Sequence, residues 1–256
     1  MLLQMPFDLA ARYRSPSQRA RVVSEAWGYS NLYCARCDSP TLRPSPPNTK
    51  GVDFVCPRCE ASFQLKSQSH AFSRRIVDSA YEIMRRAIEE NRTPHLLALH
   101  YDPVAWCVRN LILIPSFALT ISCLEKRRPL APTARRKGWI GCNILLFNIP
   151  ADARITLISD GSEFRPVAVR RQFSRLQPLE TLGHDKRGWT LDVLKVVRSL
   201  RKAEFSLADV YSHTRELELL HPKNMHVRDK IRQQLQRLRD MRLLEFAGGG
   251  RYLLKP

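Results

Sequence analysis

Two CxxC pairs, Cys34/Cys37 and Cys56/Cys59, are separated by eighteen residues. Each pair turns two sulfurs toward one point while the chain between them returns, so four thiolates can surround one ion in the tetrahedral arrangement that Zn²⁺ accepts. Four unrelated buried cysteines are the competing reading. Asp53 stands three residues before the second pair, and Gln64-Leu65-Lys66 follow just after it. A metal clamp and a carboxylate-lysine set thus share one short stretch.

The residues from Gly51 to Val55 and from Ala61 to Ser67 read as two short strands, with Cys56-Pro57-Arg58-Cys59 as the turn between them. The zinc knuckle is then the tip of a hairpin. Side chains alternate along a strand, so Phe63 and Leu65 share one face while Gln64 and Lys66 share the other. If Asp53 projects to that second face, the three polar groups converge. The bland alternative is a surface aspartate beside a strand with one polar face.

The chain carries 42 Lys and Arg against 24 Asp and Glu, a formal charge of +18. That excess favours a polyanionic partner, nucleic acid first and an acidic membrane surface second. At 256 residues the chain supports its own core as one large domain or two modest ones. It contains no apolar run of membrane-spanning length, and Pro6, Asp8 and Arg12 interrupt the start where a signal peptide would be apolar. The expectation is a soluble, cytoplasmic protein with no membrane partner. Cys107, Cys123 and Cys142 lie in or beside apolar runs and read as ordinary buried thiols. The histidines show no paired ligand spacing, and His226 alone is retained as a candidate contact.

Ser15-Pro16 offers a helix cap with Pro at the first turn, followed by Val22, Val23, Ala26 and Trp27 at helical spacing. Ser73 to Asn91 reads as a long surface helix, with Ile76, Ala80, Tyr81, Met84, Ala87 and Ile88 on one face. Strand-like runs follow at Leu96–Tyr101, Asn110–Ile114 and Ile155–Ser159, giving a mixed, layered α/β domain. Lys126 to Asn143 is rich in proline and arginine and reads as a loop. Its Trp139 either plugs the core beneath a solvated basic loop or faces DNA, packing on a base while Arg135, Arg136 and Lys137 hold phosphates.

Leu176 to Gly188 lacks an apolar period and reads as an interdomain linker. Beyond it, Thr190 and Ser206 are candidate helix caps, and a third helix runs from about Asn224 to Met241, with Val227, Ile231, Leu235 and Leu238 on its apolar side. The segment Leu243 to Leu254 reads as a hairpin around a triple-glycine turn. Three helices and a two-stranded wing form a winged helix, whose third helix enters the major groove. Lys223, Asn224, His226, Arg228 and Arg232 would then meet DNA.

Taken together, these strings resemble the DpnI-type methyl-directed restriction endonucleases over essentially the full length. The resemblance rests on the four cysteines, Asp53 with Leu65-Lys66, Pro129 to Arg136 with Gly138 to Ile144, Arg187-Gly-Trp-Thr190, and Lys230 to Leu235. It implies an α/β (α+β mixed-sheet) PD-(D/E)xK nuclease domain with a zinc knuckle over residues 1–182, followed by a mainly α winged-helix domain over 183–256. It further implies a monomer in solution that binds double-stranded, adenine-methylated GATC and cuts both strands, with Trp139 near the methyl groups. Asp53, Gln64 and the Leu65 carbonyl would hold a catalytic Mg²⁺, Lys66 would position water, and Zn²⁺ would be structural. One departure from the pattern stands out: Gln64 occupies a position that is acidic in the family, as in the QxK variants of Mrr-like nucleases. The corresponding alternative is a weak or inactive methyl-adenine reader or transcription regulator.

Overall fold

The computed structural model of the protein describes residues 1–46, 49 and 51–255. In chain order its first elements are α1 (Pro16–Asn31), β1 (Arg43–Pro44), β2 (Phe54–Val55), β3 (Ser62–Gln68), β4 (Arg75–Ala80) and α2 (Tyr81–Glu89). Next come β5 (His95–Asp102), β6 (Cys107–Ile114), β7 (Leu124–Lys126), β8 (Gly141–Leu145), β9 (Ile155–Ser159), β10 (Ser162–Glu163) and α3 (Pro166–Leu176). The remainder is α4 (His184–Ser199), β11 (Glu204–Ser206), α5 (Leu207–Tyr211), α6 (Thr214–Leu220), α7 (Val227–Asp240), β12 (Leu244–Gly248) and β13 (Arg251–Leu254). A mixed α/β part is therefore followed by a mainly helical one. The chain folds into two compact units, each assembled from three stretches.

The first unit comprises Met1–Ser73, Thr93–Ser116 and Ala153–Ser174. Its seven-stranded sheet runs β1-β2-β3-β5-β6-β9-β10. Strands β3 and β5 are parallel, pairing Leu65 with Leu97, and the other neighbours are antiparallel. The first five residues of β5 are all buried, as expected for a central strand covered on both faces. Helix α1 lays Val23 and Trp27 into this core and bonds Ser24 Oγ to Ser67 Oγ at 3.1 Å, which fixes it against β3. Ser15 begins α1 as expected, but its hydroxyl pairs with Ser17 at 2.9 Å and does not cap a helix N–H; Pro16 needs no such partner. His95 is buried against Phe63 and Phe173, and burial pushes it down to about 4, so it is a neutral core residue accepting from the Ser116 N–H at 2.9 Å.

The second unit comprises Arg74–Arg92, Phe117–Asp152 and Arg175–Pro256. Here the expected helix over 73–91 is corrected. Residues Arg75–Ala80 form a strand in the antiparallel sheet β4-β8-β7, and only Tyr81–Glu89 is helical. Ile76 and Asp78 point inward and Val77 outward, a period of two that pairing with Asn143–Leu145 selects over the overlapping helical pattern. The Pro- and Arg-rich loop is shorter than its composition suggested, because Gly141–Leu145 is the central strand of that sheet.

The expected linker over 176–188 is also replaced by structure. Helix α3 ends at Leu176, a 3₁₀ turn spans Gln177–Thr181, and α4 begins at His184, with Gly188 inside it. Thr190 is accordingly not a cap: its fully buried hydroxyl lies 2.7 Å from Lys186 O and 2.9 Å from Gln234 Oε1 of α7. Burial explains why a glycine costing about 1 kcal/mol in a helix is tolerated here. Arg187, only 2% exposed, donates to Asn91 Oδ1 at 2.7 Å, and Trp189 stacks on His221 with ring centroids 3.8 Å apart.

Ser206 caps α5 as expected, in a reciprocal capping box with Asp209. Val227, Ile231, Leu235 and Leu238 are the buried stripe of α7. The wing gains a third strand, in the order β11-β13-β12, and a further helix, α6, precedes α7.

Gly28 of α1 is where close packing depends on a missing side chain: a Cβ there would sit 2.8 Å from Phe54 Cζ and 3.0 Å from Leu32 Cδ1. Phe54 is fully buried, so it has no room to yield. Gly28→Ala is expected to destabilise the protein, because about 1–3 kcal/mol of overpacking outweighs the ~1 kcal/mol helix gain. Equilibrium denaturant unfolding checks this, and an unchanged or raised midpoint would refute the packing account.

Candidate functional site

The four cysteines of the two CxxC pairs are brought together as the spacing requires, with all Sγ atoms within 4.8 Å of one another. Cys34 and Cys59 sulfurs lie 3.6 Å apart, and those of Cys37 and Cys56 lie 3.5 Å apart. Four thiolates at ~2.3 Å from a zinc ion would be about 3.8 Å apart, so the cluster has the size and donor chemistry to hold Zn²⁺ with a closed shell. The backbone prepares it. Burial raises Cys34 above the ordinary thiol range; at Cys56 burial opposes ionisation, yet the N–H groups of Cys59 and Arg58 prevail and hold it down to about 6.

Two further contacts brace the knuckle. Arg170 of α3 donates from Nε to Cys34 O and from Nη2 to Ser39 O, each at 3.0 Å. Arg58 and Asp38 pair at 2.7 Å across the two CxxC turns. The remaining cysteines lie outside the cluster: Cys123 and Cys142 are fully buried, donating to Thr120 O at 2.9 Å and Ser79 O at 3.4 Å, and burial pushes Cys123 up to about 12, whereas Cys107 is only half-buried, contrary to expectation.

Asp53 lies immediately before β2, and its N–H donates to Phe63 O at 2.9 Å. Its carboxylate then reaches further along β3: Leu65 N donates to Asp53 Oδ2 at 2.7 Å. The aspartate is thereby docked on the Leu65 amide, between the flanking residues Gln64 and Lys66, both of which are half-exposed. Gly51, at φ 72°, leaves space beside Gln64, whose Nε2 lies 3.9 Å from the position a Cβ would take. Only glycine adopts that backbone without strain.

Asp53 also lines an open cleft with Arg21, Glu25 and Tyr29 of α1 and with Ser45 and Thr49. Arg21 and Glu25 pair at 2.7 Å, and Glu25, followed by Asp53, stabilises the charged guanidinium. Sequence reasoning missed Glu25. Its i,i+4 spacing from Arg21 is the pattern of an ordinary surface ion pair, and nothing local shows that α1 faces Asp53.

Trp139 is half-buried and does not plug the core. Its ring lies over Gly141, where a Cβ would come within 2.8 Å of it, and Arg136 sits 4.8 Å from the ring centroid. The loop is drawn closed by Leu130 N to Trp139 O and Gly138 N to Leu130 O, at 2.9 and 3.1 Å. Arg135, Arg136 and Lys137 are exposed on it.

At the start of α7, Lys223, Asn224, Met225, His226, Asp229, Lys230 and Gln233 line a shallow concavity. Three of the five expected contacts are therefore together. Of the other two, Arg228 lies over the Tyr211 ring at 5.3 Å and Arg232 pairs with Asp229 at 2.5 Å; both remain exposed.

The four-thiol cluster in a mixed α/β part and the three-stranded wing beside α7 in a mainly helical part define a two-part protein. The Dam-replacing (DpnI) family matches residues 1–182, and the Dam-replacing HTH domain (DpnI_C) matches residues 185–253. The chain belongs to this family. Among the described residues, no helix is long and apolar enough to cross a membrane.

Loading with Zn²⁺ should protect Cys34, Cys37, Cys56 and Cys59 from a thiol reagent, and a chelator should restore their reactivity while Cys123 and Cys142 stay unreactive until unfolding. Full reactivity of the four thiols in the presence of Zn²⁺ would contradict the assignment.

Proposed function

We propose that the protein is a type II restriction endonuclease that cleaves double-stranded DNA at GATC sites carrying N6-methyladenine, with Mg²⁺ as catalytic ion and Zn²⁺ as structural ion. In this reading residues 1–182 are a PD-(D/E)xK nuclease domain and 183–256 a winged-helix reader. The enzyme acts as a monomer in the cytoplasm. Membership of the Dam-replacing family supports the activity class. The observation that carries the site assignment is the Asp53 carboxylate held on the Leu65 N–H, between Gln64 and Lys66.

One Asp53 oxygen is engaged by Leu65, and the second is left for a cation. The N–H and C=O of one strand residue face the same edge, so the Leu65 carbonyl is on the Asp53 side as a further oxygen donor. The Gln64 amide oxygen supplies a neutral ligand. When bound, Mg²⁺ supplies charge that polarises the scissile phosphate. Lys66 orients the attacking water and offsets negative charge developing on the phosphate oxygens. Glu25, on the same cleft, provides the second carboxylate that position 64 lacks. Trp139 gives the methyl group an indole surface, a contact worth about 1 kcal/mol. Strong discrimination then needs more than one methyl contact.

Gln64 favours a second reading, a methyl-adenine reader without catalysis. Digestion of matched adenine-methylated and unmethylated plasmids with Mg²⁺ separates the two. Cutting confined to methylated DNA supports the endonuclease; intact methylated DNA with binding retained supports the reader; equal cutting removes methyl direction. Lys66→Ala is expected to lower cleavage by at least about 10³-fold with binding retained, a loss typical of removing a group that stabilises transition-state charge; unchanged cleavage would falsify the assignment of the site. Glu25→Gln should raise the Mg²⁺ concentration needed for half-maximal cleavage, whereas Gln64→Glu should lower it.

A further inference from the structure

Met225, two residues before α7, is 86% exposed and lies in the concavity there among Lys223, Asn224, His226, Asp229, Lys230 and Gln233. An apolar side chain held in water among polar groups, with the Asp229 carboxylate also on the rim, fits a partner surface that is mostly polar but carries one projecting apolar group. The major-groove edge of a base pair with a methyl group is such a surface, and the first residues of the recognition helix are those that reach it.

Asn224 adds a second observation. Its Oδ1 accepts from the His226 N–H at 2.8 Å, and its own N–H donates to His221 O at 3.0 Å. An asparagine that reads unmodified adenine uses its amide oxygen to accept from N6–H and its amide nitrogen to donate to N7. With the oxygen already engaged in the turn, the Nδ2 donor remains for N7, and the N6 side is left to the neighbouring thioether. A methyl on N6 then gains dispersion contact with soft, adaptable sulfur and methylene groups, whereas a bare N6–H meets a poor acceptor.

We propose that Met225 is the specificity-determining residue of the C-terminal part, contacting the N6-methyl group of adenine in the major groove while Asn224 donates to N7. This rests on the methyl-directed reading above and assigns its second methyl contact to a residue.

The test uses full-length, zinc-loaded protein with Ca²⁺ replacing Mg²⁺, so that DNA is bound and not cut. Dissociation constants are measured for GATC duplexes with and without N6-methyladenine, for the wild type, Met225→Ala and Met225→Leu, each also in a Trp139→Ala background. Met225→Ala should weaken binding to the methylated duplex roughly fourfold per methyl contacted, leave the unmethylated duplex unchanged, and abolish the methyl preference that survives Trp139→Ala. Met225→Leu should retain most of that preference. Equal weakening on both duplexes would identify a thymine-methyl or backbone contact, and no change would show that Met225 does not meet DNA; either overturns the proposal. A wild type with no methyl preference would instead remove the reading on which it rests.

Discussion

Convergence of four sulfurs within 4.8 Å is the constraint on which the placement of the candidate active site depends. The sheet around them is slight: β1 and β2 are two residues each, too short to fix their own register by hydrogen bonding. The cysteine turns on either side of these strands supply what the ladder cannot. With Cys56 and Cys59 fixed at one end and Phe54 buried against Gly28 at the other, Asp53 has little freedom, and its carboxylate meets the Leu65 N–H. A structural ion would thus act on chemistry at a distance, by holding a short strand in register rather than by touching substrate.

The C-terminal part uses a different means to the same end. Helix α7 has one fully committed face, in which Ile231, Leu235 and Leu238 are sealed against the unit's core and Gln234 is satisfied by the buried Thr190 hydroxyl. Its opposite face and its first turn are left to exposed polar and basic groups. Rigidity behind and polarity in front are what a helix needs in order to present side chains to a groove without losing entropy on binding.

What could be read from the sequence was local, and what could not was tertiary. The CxxC spacing, the apolar runs of β5, β6 and β9, the Ser206 cap and the stripe of α7 each carry their signal within a short window, and each was found. The strand Arg75–Ala80 was hidden because Ile76, Ala80, Tyr81 and Met84 also fit a helix; the choice is made by Gly141–Leu145, far along the chain. The sequence alone places the start of α4 late because Gly183 and Gly188 mark a break locally, while the burial of Arg187, Trp189 and Thr190 that overrides them is invisible in sequence. Within the candidate site, Asp53 and β3 were legible as neighbours, but Glu25 and Met225 were not, since only folding brings α1 to the Asp53 cleft and leaves a methionine in solvent.

The direct test of the central claim is a crystal structure of the zinc-loaded protein with an adenine-methylated GATC duplex and Ca²⁺ in place of Mg²⁺. The account predicts a cation at about 2.3–2.6 Å from an Asp53 oxygen and the Gln64 amide oxygen, touching the phosphate to be cut, with Lys66 beside it. A phosphate backbone bound elsewhere, with Asp53, Gln64 and Lys66 turned away from both cation and DNA, would contradict it.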